Sequence, residues 1–233
     1  MVKELKKSQI SVLIRCKNEE RWIGHTIQSV LDKIYKPELV IIDNKSTDET
    51  IKIVKSFAQD NSLSGKATSL EDKYTDIKII NLDNYTPGKA LNLGVKNASR
   101  KYIMIISAHC VLNKITIQDQ LKNLEKYIAI FGKQTPFYYG KRITKRYLWS
   151  HFLDKKKINM YSNLEQRYFF HNAISIFKKS TLKKYPFSEV LVGKEDRYWI
   201  NKQIKNKKNF LYDPDIEVSH HYTPNGNTWK GTG

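Results

Sequence analysis

Residues 10–24 read ISVLIRCKNEERWIG. Ile10–Ile14 is a short run rich in β-branched residues, the pattern of a buried strand. A polar loop follows from Arg15 to Glu20, and a helical pattern opens at Asn18, with Trp22, Ile23, Thr26, Ile27, Val30 and Leu31 on one face. The same unit recurs. Pro37 ends the first helix, Leu39–Ile42 is a second apolar strand, and Asp43, Asn44, Lys45, Ser46, Thr47 and Asp48 form its polar exit. Ser46 and Glu49 have capping-box spacing before a helix carrying Ile51, Ile53, Val54 and Phe57. Residues 59–76 read as a polar surface insertion. Ile77–Ile80 is a third strand, Pro87-Gly88 punctuates a turn before a helix over Ala90–Ala98, and Tyr102–Ile106 is a fourth strand.

Apolar strands alternating with amphipathic helices imply an α/β fold with a mostly parallel, helix-covered sheet. Right-handed crossovers bring the loops after the strands to one edge, and such sheets bind ligands in the crevice there. The segments Arg15–Glu19, Asp43–Asp48, Tyr85–Lys89 and Ser107–Cys110 should therefore converge. Cys16 and Cys110 are expected at the ends of neighbouring strands in this crevice, as packing residues. Beyond it the chain is less regular: a basic, aromatic stretch at 137–157, a strand at 171–177 and a helix near 196–206.

The 233 residues carry 41 Lys+Arg against 23 Asp+Glu, a net charge of +18, with the excess concentrated after residue 100. A field of that size favours an anionic partner. No run of 18 apolar residues is present, so a membrane span is not expected. Two cysteines exclude a disulfide-stapled scaffold, and Met1–Gln9 has no apolar core of a secretory signal. The expectation is a cytoplasmic protein, with peripheral contact to an anionic inner membrane face as one use of the charge. A basic nucleic-acid-binding module is the rival class. Its lysines would cluster around a recognisable motif; here they do not.

The segments ISVLIRCKNEERWIG (10–24) and VIIDNKSTDET (40–50) resemble the opening of family-two glycosyltransferases. Four further segments resemble that family's later motifs in order: GKALNLG (88–94), YIMIISAHC (102–110), GKEDRYW (193–199) and VSHH (218–221). The resemblance spans about residues 8–222. It implies a GT-A fold, a Rossmann-like nucleotide-binding half fused to an acceptor-binding half. The chain would be one domain over 1–233, with a nucleotide-sugar half at about 8–112, an acceptor half at about 113–222 and a tail at 223–233. It also implies a nucleotide-diphospho-sugar donor and transfer with inversion to a glycan or a polyprenyl-phosphate-linked acceptor in bacterial surface polysaccharide synthesis.

Such a transfer needs a base for the acceptor hydroxyl and positive charge for the departing diphosphate. By the resemblance Asp196 is the base and Glu195 its support; as plain sequence the pair could equally stabilise a helix N-terminus. Arg15, Lys17, Glu19, Asp43, Asn44, Lys89, Ser107 and His109 are the residues implied for the nucleotide sugar, and Asn172 and Trp199 for the acceptor. Tyr138, Tyr139, Tyr147 and Trp149 are further aromatics able to stack on sugar rings, whereas His25 and His151 read as surface residues. The family's Asp-x-Asp is Ser107-Ala108-His109 here. A divalent cation, Mn²⁺ or Mg²⁺, would then rest on His109 and a distant second imidazole, His220 with His221 in reserve. Without a cation the histidines would meet the diphosphate directly, with Lys89 and Arg15. The missing carboxylates also leave open a catalytically inactive, glycan-binding scaffold of the same fold.

Overall fold

The computed structural model describes residues 8–58, 76–144, 147–224 and 226. The expected insertion lies outside the described residues apart from Asp76, which opens a strand. Four parallel strands build the first half: β1 (Ile10–Cys16), β2 (Glu38–Asp43), β3 (Asp76–Asn81) and β4 (Tyr102–Ser107), ordered β3-β2-β1-β4. Alternation along each strand fills two cores. Leu13, Val40, Ile42, Ile103 and Ile105 face α3 (Pro87–Asn97). Val12, Ile14, Leu39, Ile41 and Met104 face α1 (Ile23–Lys33) and α2 (Thr50–Ser56). The register places Cys16 beside Asp43, Asp43 beside Asn81, and Arg15 beside Ser107, so the polar exits lie level at one edge.

The second half extends the same sheet with mixed pairing. After β5 (Cys110–Lys114) and α4 (Ile117–Asn123) comes the long β6 (Ala129–Tyr138). Short pieces follow: β7 (Lys141–Arg142), a 3₁₀ turn at Tyr147–His151, β8 (Lys157–Ile158), β9 (Tyr161–Ser162) and β10 (Arg167–Tyr168). Then come β11 (Ile174–Lys178), α5 (Lys179–Lys184), α6 (Glu195–Lys205) and β12 (Leu211–His221). The order continues β4-β11-β6-β12-β5, with β11 antiparallel to both β4 and β6 and β12 parallel to β6. Cys110 therefore opens β5, paired with β12 at His220, instead of ending the strand beside β1. Both thiols are buried, and burial raises the pKa of each.

Two expected boundaries shift for one reason. α1 begins at Ile23, not Asn18, and Ser46 caps no helix. The backbone N–H groups of Asn18, Glu19 and Glu20 donate instead to Ser46 Oγ (2.9 Å), Thr50 Oγ1 (2.7 Å) and Asp48 Oδ2 (3.1 Å). In return Asn18 Oδ1 accepts from the N–H of Thr47 (2.8 Å) and Glu20 Oε2 from that of Glu49 (2.9 Å). The first two loops are interlocked. In the third, Thr86 caps α3 by accepting from Lys89 N–H and donates to the Glu189 carbonyl at 2.7 Å. Gly88 follows because a Cβ there would lie 1.9 Å from the Ser188 carbonyl oxygen.

Candidate active site

The converging loops enclose a cleft of about 590 Å³ at the carboxyl ends of β1, β2 and β4. Arg15, Lys17, Glu19, Asn44, Ser107 and His109 line one side; Asn172, Glu195 and Asp196 line the other. Tyr85, Leu148, Glu165, His171 and Arg197 also face it; Tyr85 opens one of the segments expected to converge and Arg197 lies in the 193–199 motif, whereas Leu148 and Glu165 carried no sequence signal.

Asp196 is buried in the first turn of α6. Its oxygens accept the backbone N–H groups of Asn172 (3.1 Å) and Arg197 (2.8 Å). Burial raises its pKa against those bonds and against the Arg197 charge. Glu195 reaches across the cleft to Arg15, Oε1 to Nη1 at 3.0 Å. That pair ties the first strand loop to α6. Burial lowers the Arg15 pKa, but Tyr85 and Glu195 outweigh it and the net shift is upward. The guanidinium stays charged on the cleft wall.

His109 and His220 meet as expected from their positions at the two motif ends, with Nε2 atoms 3.1 Å apart. His109 Nδ1 lies 3.0 Å from Glu19 Oε1, and His220 Nδ1 lies 2.8 Å from Gln134 Oε1. Glu19 is thus the carboxylate partner of His109, and its other oxygen is buried with no hydrogen-bond partner among the described residues. Trp149 stands edge-on to the His220 ring at 5.0 Å. No group of three or more His, Cys, Asp or Glu side chains is arranged to hold a metal among the described residues. Two imidazole nitrogens at this spacing, each with its other nitrogen engaged, suit two neighbouring positions on one ion. The donor set fits half a site, and a bound diphosphate would have to supply the oxygens.

Several expected residues sit elsewhere. Trp199 is core: it is 4% exposed, its Nε1 donates to the Tyr185 carbonyl at 2.7 Å, and it packs on Phe177 and Phe187. It shares the inward face of α6 with Asp196 and cannot offer its ring to an acceptor sugar. Trp149 is likewise buried. Asp43 turns away from the cleft and accepts from the N–H and hydroxyl of Ser46, at 3.0 and 2.6 Å, ordering its loop. Lys89 Nζ donates to the Asp83 carbonyl at 3.1 Å and does not line the cleft. His221 alternates to the other side of β12 and stacks on Trp22 with centroids 3.9 Å apart. His151 is half-buried, stacked on Phe169 and within 2.6 Å of Ser162 Oγ, so only His25 lies at the surface. Tyr138 and Tyr139 are exposed at the β6–β7 turn; the Tyr147 side chain lies outside the described residues.

The model described as Glycosyl transferase family 2 matches residues 11–186. An uncharacterized glycosyltransferase of Rickettsia conorii is 34% identical over 129 residues, 55% of this chain and 19% of its own length. Poly-beta-1,6-N-acetyl-D-glucosamine synthase of Staphylococcus epidermidis is 31% identical over 119 residues, 49% and 26% of the two chains. The chain therefore spans about a fifth to a quarter of these relatives. Among solved structures, S. aureus TarS 1–349 in complex with UDP-GlcNAc superposes with a TM-score of 0.69 at 19% identity, covering 97% of this chain and 61% of that one. The mannosyltransferase PcManGT from Pyrobaculum calidifontis, in complex with GDP-Man and Mn²⁺, gives 0.63 at 17%, covering 95% and 59%. Those superpositions carry the GT-A fold, and the match over residues 11–186 makes the chain a member of glycosyl transferase family 2.

Proposed function

We propose that this chain transfers a sugar, with inversion, from a nucleotide-diphospho-sugar to a hydroxyl of a glycan or polyprenyl-phosphate-linked acceptor in bacterial surface polysaccharide synthesis. The observation that carries the reading is Asp196: a buried carboxylate on the cleft wall, fixed by two backbone N–H groups and facing a cationic side built on Arg15. As the acceptor oxygen forms its bond to the anomeric carbon, its proton passes to Asp196. The bond from that carbon to the diphosphate oxygen breaks, and the electron pair leaves with the nucleoside diphosphate. Burial raises the basicity of Asp196 toward what a general base needs. Glu195 holds Arg15 in place, and Arg15 stabilises charge developing on the leaving group. Asn44, Lys17 and Ser107 are the donor-side contacts, with Asn172 beneath the acceptor. Lys89 would contribute to the diphosphate only by leaving Asp83. A divalent cation held by His109 and His220 would neutralise diphosphate charge. Two imidazoles with phosphate oxygens favour Mn²⁺ over the harder Mg²⁺.

Asp196→Asn is expected to bind nucleotide sugar as tightly as the parent while turnover falls by about 10²–10⁴-fold. Transfer assays and donor calorimetry on the same preparation check this, starting from UDP-GlcNAc and GDP-Man, the ligands in the two structural relatives. Near-parental turnover would remove Asp196 from the role. Glycan binding with no transfer from any donor, by the parent as well, would favour the inactive scaffold.

A further inference from the structure

Gln134 is completely buried in β6, between His171 and His220, and its two amide atoms touch one nitrogen of each. The proton positions along this line follow from one backbone group. The Ala173 N–H donates to His171 Nδ1 at 3.3 Å, so that nitrogen carries a lone pair. The Gln134 atom 3.1 Å from the same nitrogen must then be the NH₂ group, which donates to it. The other amide atom is therefore the oxygen. It lies 2.8 Å from His220 Nδ1 and can only accept, so His220 carries its proton on Nδ1. In the neutral ring His220 Nε2 is then left with the lone pair, directed at His109 Nε2 3.1 Å away. Whatever lies between those nitrogens must be electron-poor, a proton on His109 or a metal cation.

We infer that Gln134 is a positioning residue: it passes the tautomer fixed at His171 to His220 and so presents His220 Nε2 as an electron-pair donor toward His109. The assignment deepens the proposed cation site and rests on that reading only for its consequence, not for its geometry. A hydrophobic residue of similar size at position 134 would fill the strand equally well, yet leave the His220 ring free to take either tautomer.

The test is ¹⁵N NMR of the histidine rings in metal-free protein at neutral pH, with Mn²⁺ calorimetry in the presence of UDP on the same samples. The parent should show a protonated Nδ1 and an unprotonated Nε2 at His220, and an unprotonated Nδ1 at His171. Gln134→Leu should lose the His220 preference and weaken Mn²⁺ by about 10–100-fold. Gln134→Glu keeps an acceptor for His220 but offers no donor to His171. It should retain the His220 tautomer and Mn²⁺ affinity within a few-fold. This second variant guards against simple misfolding of the first. A parental His220 protonated on Nε2, or a folded Gln134→Leu with parental tautomer and parental Mn²⁺ affinity, overturns the inference. Correct tautomers with no Mn²⁺ uptake would sustain the relay and sink the cation site instead.

Discussion

Glu38 is fully buried at the start of β2, where its carboxylate accepts from Ser11 Oγ, from Lys78 Nζ at 2.6 Å and from the Ser99 N–H at 2.7 Å. Burial alone would raise its pKa, but these bonds reverse the effect and bring it from 4.5 to about 2. A carboxylate lowered on folding stabilises the native state above its unfolded pKa. That contribution declines as pH falls from about 4.5 toward about 2. Glu38→Gln should cost about 2 kcal/mol at pH 7 and flatten the melting temperature across that acid window, as followed by circular dichroism. At this scale the sequence was informative where chemistry follows a loop at a strand end: Arg15, Asn44, Ser107 and His109 share the cleft. It misled where a side chain's direction depends on its element. Trp199 falls three residues after Asp196 on α6, hence on the same buried face. Gln134 left no trace: it stands between Lys133 and Thr135 in β6, and nothing in the sequence says that two histidines flank it.

The elements of the first half were legible because a parallel strand buried on both faces reads as a near-continuous apolar run, as Leu39–Ile42 and Tyr102–Ile106 do, and as Ile10–Ile14 does but for Ser11. Much of the second half was not. β7 to β10 have two residues each, too few for any periodicity, and their positions depend on partners far along the chain. Helix starts were misread wherever a tertiary partner took the N–H groups that a local cap would have served. The start of α3 has both kinds of bond and gives a clean test. Thr86→Ala removes the cap and the bond to Glu189, and should cost about 1 kcal/mol. Gly88→Ala should cost more, about 1–3 kcal/mol, because its methyl group meets the Ser188 carbonyl and the backbone must move. Urea denaturation of the two variants should rank them in that order. If Gly88→Ala were neutral, the close approach of α3 to the 186–189 segment would be wrong.

One continuous sheet carries both halves, and the Arg15–Glu195 pair bridges residues 180 apart in sequence across its cleft. Charge is the other property of the whole molecule. No helix among the described residues is long and apolar enough to cross a membrane, but a net charge of +18 makes association with an anionic surface an electrostatic matter. The chain should sediment with phosphatidylglycerol-containing vesicles at about 50 mM salt and be released near 0.5 M, where the screening length falls to a few ångströms. Phosphatidylcholine vesicles should not retain it. Equal retention by both lipids, or retention that salt does not weaken, would remove electrostatic membrane contact from the proposed function.

The interlock between the first two loops also has a kinetic face. The amide hydrogens of Asn18, Glu19, Glu20, Thr47 and Glu49 all end on side-chain oxygens of the opposite loop. Solvent deuterium can replace them only when the pair separates, and because the bonds cross from one loop to the other, they must open together. Among the described connectors, the rim of the cleft should therefore exchange slowest, and a deuterium-exchange map would colour it like a strand.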